Sequence, residues 1–73
     1  VIANPSRSGM SKTVPRIIWE TEAEFVVLIS CDAAAAARDA KRMVDTGFKL
    51  GEVVVLDLFP QTSHLEVIST YIR

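Results

Sequence analysis

Hydrophobic residues fall into short separate runs along the chain, and their spacing predicts alternating strands and helices. Residues 25–29 (FVVLI) are continuously apolar and rich in β-branched side chains, which is typical of a strand covered on both faces. Residues 53–56 (VVVL) predict a third strand. Residues 65–72 predict a fourth, with Leu65, Val67 and Tyr71 on one face. Residues 1–3 (VIA) read as the end of a short buried strand.

The first helix is predicted to begin near Ser11 or Thr13 and to end near Glu20. Pro15 suits its first turn, where a missing backbone N–H costs nothing. An apolar stripe predicts its buried face: Val14, Ile17 and Ile18.

The second helix is predicted over residues 33–46, with Asp32 as its N-cap and Gly47 as its C-cap. Its apolar positions at helical spacing predict the face toward the core: Ala33, Ala36, Ala37, Ala40, Met43 and Val44. The remaining positions predict a polar, solvated face: Arg38, Asp39, Lys41, Arg42 and Asp45.

This order of elements predicts an α/β fold with two helices, three parallel strands and right-handed crossovers. The connection at residues 57–64 is too short for a helical crossover, so the fourth strand is predicted to run antiparallel to the third. The first strand has no predicted partner on one side. Because open apolar edges associate, we expect further sheet upstream or self-association through that edge.

Composition places the chain among globular proteins and limits its partners. The 73 residues are 49% hydrophobic and 23% charged, enough for one domain or part of one. Eight basic and nine acidic residues give a net charge of −1. Bulk charge alone therefore cannot hold a nucleic acid.

A single cysteine excludes an internal disulfide and a zinc site built from several thiolates, so we expect a reducing, cytoplasmic compartment and no metal. The longest apolar run is too short to span a bilayer, so no membrane association is expected. The chain begins without Met, which indicates a start inside a longer protein.

Cys31 is the first candidate for chemistry because it lies where a predicted parallel strand gives way to a helix. Ligands bind outside the carboxyl ends of such strands, and a helix N-terminus stabilises a thiolate. The neighbouring Asp32 acts in the opposite direction. The alternative is a buried cysteine that serves as a small hydrophobic residue.

His64 and Glu66 form a second candidate pair, because alternation places them on one side of the last strand. A carboxylate in a partly dry cleft can act as a general base. The alternatives are a solvated strand glutamate and a histidine that makes a loop hydrogen bond.

Four segments in this order resemble the C-terminal end of the RNA uracil-5-methyltransferases. The resemblance covers essentially the whole chain and rests on residues 4–9 (NPSRSG), 28–32 (LISCD), 37–39 (ARD) and 57–66 (DLFPQTSHLE). It implies that residues 1–73 are a C-terminal fragment of a methyltransferase catalytic domain. The implied fold is the C-terminal half of a doubly wound, Rossmann-like sheet with a final antiparallel strand.

The resemblance also implies site residues for methylation of C5 of a uridine in rRNA or tRNA, with S-adenosylmethionine as the cofactor. Cys31 would be the nucleophile that attacks C6, and Glu66 the base that removes the C5 proton. Asn4 would lie at the cofactor, whereas Arg7 and His64 would contact the RNA substrate.

The chain departs from the family pattern in ways that limit what it does alone. Asn4 stands where the family has Asp, which removes a charge near the cofactor. No glycine-rich turn is present to bind the cofactor. The cysteines that hold an iron–sulfur cluster in some members are also missing, so any cluster would belong to the rest of a longer parent. We therefore expect the isolated chain to be inactive.

A second hypothesis is a non-catalytic α/β module that acts through self-association at its sheet edge. Under this hypothesis the motifs reflect ancestry, and Asn4 marks lost activity. The sequence upstream of Val1 would separate the two hypotheses, because the enzyme needs a strand and a glycine-rich turn there.

Overall fold

The hydrophobic pattern produces six elements in the predicted order. The structure, a computed structural model, describes residues 1–5, 9–57 and 65–73. The elements are β1 (Ile2–Ala3), α1 (Val14–Glu20), β2 (Phe25–Ser30), α2 (Ala33–Thr46), β3 (Lys49–Asp57) and β4 (Leu65–Ile72). A mixed α/β fold with two helices and four strands is therefore confirmed.

Both predicted caps of α2 are present. Asp32 has extended backbone, and its Oδ1 accepts a hydrogen bond from the Ala35 N–H at 3.0 Å. Gly47 ends the helix at φ +133°, and its N–H donates to the Met43 and Val44 carbonyls. A Cβ on Gly47 would lie 2.9 Å from the Trp19 ring. Both the backbone conformation and the packing therefore require glycine there.

The four strands form one sheet in the order β1-β2-β4-β3. β1 is parallel to β2, and β4 is antiparallel to both β2 and β3. The antiparallel direction of β4 relative to β3 agrees with the short connection at residues 57–64. The insertion of β4 between β2 and β3 was not predicted, because strand order depends on contacts distant in sequence.

Both helices cover the same face of the sheet and enclose the core there. Leu28 and Ser69 lie opposite each other on this face, as do Val26 and Tyr71. The core consists of Met10, Ile18, Val26, Leu28, Met43, Phe48 and Tyr71. Trp19 closes one end, with its ring packed edge-on against Phe48 at 4.9 Å. Neither helix is long and apolar enough to cross a membrane.

The prediction that the strand at 25–29 is covered on both faces is wrong for the described residues. The side chain of Phe25 is 52% exposed, and Val27 and Ile29 are only half-buried. These residues alternate with the buried Val26 and Leu28, so they point to the face opposite the two helices. No described helix packs on that face.

The predicted core face of α2 also requires correction. Ala35, Asp39 and Met43 are the buried positions, whereas Ala33, Ala37 and Val44 are exposed. The cause is the position of β4. α2 contacts both β4 and β3, but its alanines border an apolar cavity of about 240 Å³ beside Val53 and Val55, which stay exposed.

Smaller differences concern β3 and α1. β3 begins four residues earlier than predicted, because a bulge between Leu50 and Val53 lets the strand continue. The Thr70 hydroxyl accepts the Glu52 N–H at 2.8 Å within that bulge. In α1, Ile18 is buried as predicted, but Ile17 is exposed.

Candidate functional site

The candidate residues gather at the edge of the sheet where β1 and β2 end. These strands are parallel, with Ala3 paired to Leu28, so their carboxyl ends lie side by side. Asn4 and Cys31, both exposed, follow directly after the two strands. This edge is where ligands bind in open α/β sheets.

Cys31 occupies a short turn whose two flanking residues are held by hydrogen bonds. The Ser30 hydroxyl donates to the Asp32 carbonyl at 3.1 Å and accepts from the Asp32 N–H at 3.4 Å. Asp32 in turn caps α2. The turn therefore fixes the backbone on both sides of an exposed thiol, which is inconsistent with the alternative of a buried cysteine.

The sheet register places the end of β2, just before Cys31, beside the start of β4, which carries Glu66. The two residues are 35 positions apart along the chain. The last pair between β2 and β4 joins Ser30 to Val67, and Cys31 and Glu66 are the chain neighbours of that pair. Val67 is buried toward the helices, so alternation along β4 assigns Glu66 to the opposite face.

Glu66 is half-buried on β4, and its partner on β3 is Leu56. It therefore has an apolar neighbour on one side and the Cys31 turn on the other. Arg7 and His64, the predicted substrate contacts, lie outside the described residues. The structure thus brings three of the five predicted site residues, Asn4, Cys31 and Glu66, to one edge of the sheet.

A polar contact that the sequence did not predict holds the backbone of Met10, directly after the motif at residues 4–9. Asp39 is 2% exposed, and its two oxygens accept the Met10 N–H at 3.0 and 3.3 Å. Arg42 donates to the carbonyl of Met10. Gly9 has φ +87°, and a Cβ there would lie 2.8 Å from Oδ1 of Asp39.

The placement of Asp39 on the polar face of α2 was therefore wrong. It is buried because its carboxylate accepts a hydrogen bond from the Met10 N–H, which lies outside any helix or strand and so lacks a secondary-structure partner. Gly9, which precedes Met10 and lies two positions after Arg7, was the signal in the sequence that could have indicated this contact. Among residues 1–5, 9–57 and 65–73, no group of three His, Cys, Asp or Glu side chains could hold a metal ion.

Comparison with known proteins extends this picture over nearly the whole chain. No protein-family model matches. The 23S rRNA (uracil(1939)-C(5))-methyltransferase of Vibrio parahaemolyticus is 37% identical over 71 residues, which cover 97% of this chain and 16% of that protein. An RNA methyltransferase of Thermotoga maritima, described as uncharacterized, is 36% identical over all 73 residues and 17% of its own length.

A solved structure agrees with these relatives. The tRNA (uracil-54, C5)-methyltransferase of Pyrococcus abyssi, in complex with S-adenosyl-L-homocysteine, superimposes with a TM-score of 0.82 and 29% identity. The match covers 99% of this chain and 18% of that one. The chain spans about one-sixth of the length of the curated relatives it matches. The resemblance carried by the four sequence motifs is thus confirmed: over its whole length this chain is similar to one part of the RNA uracil-C5 methyltransferases.

Proposed function

We propose that this chain forms the C-terminal half of the catalytic sheet of an S-adenosylmethionine-dependent enzyme that methylates C5 of a uridine in RNA. The principal support is the Ser30–Val67 pair, which brings the Cys31 turn and Glu66 to the same edge of the sheet. The similarity to rRNA and tRNA uracil methyltransferases over the whole chain supports the same substrate class.

Cys31 begins the reaction in this proposal. C5 of uracil is a weak nucleophile, so the ring must be activated before it can accept a methyl group. The thiolate of Cys31 forms a bond to C6, and the electrons of the C5–C6 double bond move onto the C4 carbonyl as an enolate. C5 is then the nucleophilic carbon. The exposed turn between Ser30 and Asp32 leaves the sulfur open to an incoming base.

The cofactor supplies a methyl group on a sulfonium to C5 when it is bound. Asn4, at the end of β1, offers an amide that both donates and accepts hydrogen bonds, so it fits as one polar contact to a cofactor at this edge. The chain holds three glycines and no glycine-rich strand-to-helix turn, so most of the cofactor site must come from another part of the enzyme.

Glu66 completes the reaction. Its carboxylate removes the proton from C5, the C5–C6 double bond re-forms, and the C6–sulfur bond breaks to release the Cys31 thiolate. Its half-buried position beside Leu56 keeps it partly out of water while leaving it accessible from the helix-free face. Arg7 and His64 are proposed contacts to the RNA. The target uridine must leave its stack to reach the candidate site.

A covalent-trapping assay on the full-length enzyme that contains this chain tests these roles. RNA with 5-fluorouridine at the target position should form a stable adduct, because fluorine at C5 prevents removal of a proton. The adduct is measured as a shifted band in a denaturing gel. Cys31→Ala should abolish it, and Cys31→Ser should reduce it strongly.

Glu66→Gln tests the role of Glu66 as the base separately from the role of Cys31 as the nucleophile. With ordinary RNA and cofactor, this variant should still form the adduct but resolve it slowly, so the covalent complex accumulates. An undiminished adduct in Cys31→Ala would refute the nucleophile. Normal turnover in Glu66→Gln would refute the base.

A further inference from the structure

Five of the eight basic residues of the chain gather on one surface, although its net charge is −1. Arg38, Lys41 and Arg42 line a groove of about 320 Å³ on α2 together with Lys12. A neighbouring groove of about 450 Å³ is lined by Lys12 and Arg16. We refer to the five residues Lys12, Arg16, Arg38, Lys41 and Arg42 as the basic surface.

Helical spacing and the Asp39 contact together create this surface. Arg38, Lys41 and Arg42 lie at positions i, i+3 and i+4, so they share one side of α2. Asp39 and Arg42 bind the N–H and the carbonyl of Met10. That contact fixes the backbone two residues before Lys12. The Lys12 side chain lines the same groove as the three basic residues of α2.

Three carboxylates moderate the charge. Asp45 lines both grooves, and Glu20 forms an exposed ion pair with Arg16 at 3.5 Å. The buried Asp39 carboxylate lies with Arg42 at the Met10 contact. Lys12, Arg16, Arg38 and Lys41 are all exposed. Five cations against three carboxylates among the described residues leave a local excess of positive charge that the net charge of the whole chain conceals.

We propose that the basic surface binds phosphates of the RNA that flank the target uridine. The proposal rests on the proposed function, since RNA is the polyanion that a uracil methyltransferase must hold. Arginine and lysine bound to phosphate oxygens fix the register of a nucleic acid without reading its sequence. At 1.5 Å per residue, Arg38 and Arg42 lie about 9 and 15 Å along α2 from Asp32, next to Cys31. Along the helix axis, the first of these arginines therefore lies within two turns of the candidate site.

Salt-dependent binding of a labelled single-stranded RNA to the 73-residue chain tests the surface without any methylation. Lys41→Ala is matched by Lys49→Ala, which removes an exposed lysine of β3 outside the basic surface. Losing one phosphate contact should reduce the slope of log K against log salt concentration by about 0.7. We expect that reduction for Lys41→Ala and for Lys12→Ala, and a much smaller change for Lys49→Ala.

Removing a carboxylate from this surface should raise the affinity for RNA, a change that misfolding cannot produce. Asp45→Asn should bind RNA more tightly than the parent chain, whereas Glu52→Gln, the matched change on β3, should not. Equal effects of Lys41→Ala and Lys49→Ala would overturn the proposal. So would displacement of the RNA by polyglutamate at equal charge, because the surface would then be a general site for acidic proteins. If the full-length enzyme formed no adduct through Cys31 while RNA binding showed the expected salt dependence, the proposed function would be refuted and the RNA-binding surface would stand.

Discussion

At the scale of single residues, Tyr71 places a phenol inside the core. It is fully buried on β4, and its hydroxyl makes no hydrogen bond of normal geometry with the described residues. Burial raises the pKa of its phenol above the ordinary value of 10.0, because the charged form loses its solvation. The Ser69 side chain opposes this rise in the pKa, and the Asp39 carboxylate adds to it. The neutral phenol is therefore favoured in the folded state.

Stability should fall as the pH rises above 10. The unfolded chain begins to lose its phenol proton there, whereas the folded chain keeps it until a higher pH. Tyr71→Phe should lack this dependence and should be as stable as the parent or more stable by about 1 kcal/mol, since the unpaired hydroxyl is gone. Urea unfolding of both proteins from pH 8 to 11 measures the difference.

Tyr71 is the sole tyrosine, so phenolate absorbance reports it directly. Every other ionisable group is common to both proteins, so the comparison isolates the phenol of Tyr71. A parallel loss of stability in parent and variant would contradict the prediction.

At the scale of elements, α2 shows how a helix is oriented by one polar contact. Of its predicted core face, Met43 is buried and Ala40 packs against the core, but Ala33, Ala37 and Val44 are exposed. Ala35 and Asp39 are buried although they were not predicted to be. Periodicity favoured the alanines because it treats every charged residue as solvated. Asp39 is buried because its carboxylate satisfies the Met10 N–H, a partner 29 positions away that no local pattern reveals.

Asp39→Ala should lower the free energy of unfolding by about 1–3 kcal/mol, because it leaves the buried Met10 N–H unpaired. Asp45→Ala removes an exposed carboxylate from the same helix and should change it by less than about 0.5 kcal/mol. Urea unfolding at pH 7 compares the two. Similar values for both variants would show that the Asp39 contact does not stabilise the fold.

At the scale of the whole molecule, the helices cover one face of the sheet and the other carries exposed apolar residues. Phe25 and Ile72, paired across β2 and β4, are each about half exposed, and Ile2 is 76% exposed. Contiguous exposed apolar surface of this kind marks an interaction site. We propose that the remaining part of the methyltransferase covers the end of this face that carries Phe25 and Ile72, away from Glu66, as helices do on both sides of doubly wound sheets.

The paired substitution Phe25→Thr and Ile72→Thr tests this assignment in two settings. In the 73-residue chain it should leave folding intact and reduce concentration-dependent association, measured by light scattering. In the full-length enzyme it should lower the unfolding temperature, since the same residues would then be buried. The second hypothesis, a self-associating module, predicts a stable parent dimer and loss of that dimer in the variant.

Local patterns in the sequence were enough to predict the elements and to mark the candidate site residues. Local rules sufficed for the two helices, their caps Asp32 and Gly47, and β4, because propensity and periodicity act over a few residues. The ordered motifs also identified Cys31 and Glu66 as candidates. Local patterns could not predict the strand order, the Ser30–Val67 pair that brings Cys31 and Glu66 to one edge, the burial of Asp39 or the gathering of the basic surface. Each of these depends on contacts between residues tens of positions apart, whose energies a local pattern does not contain.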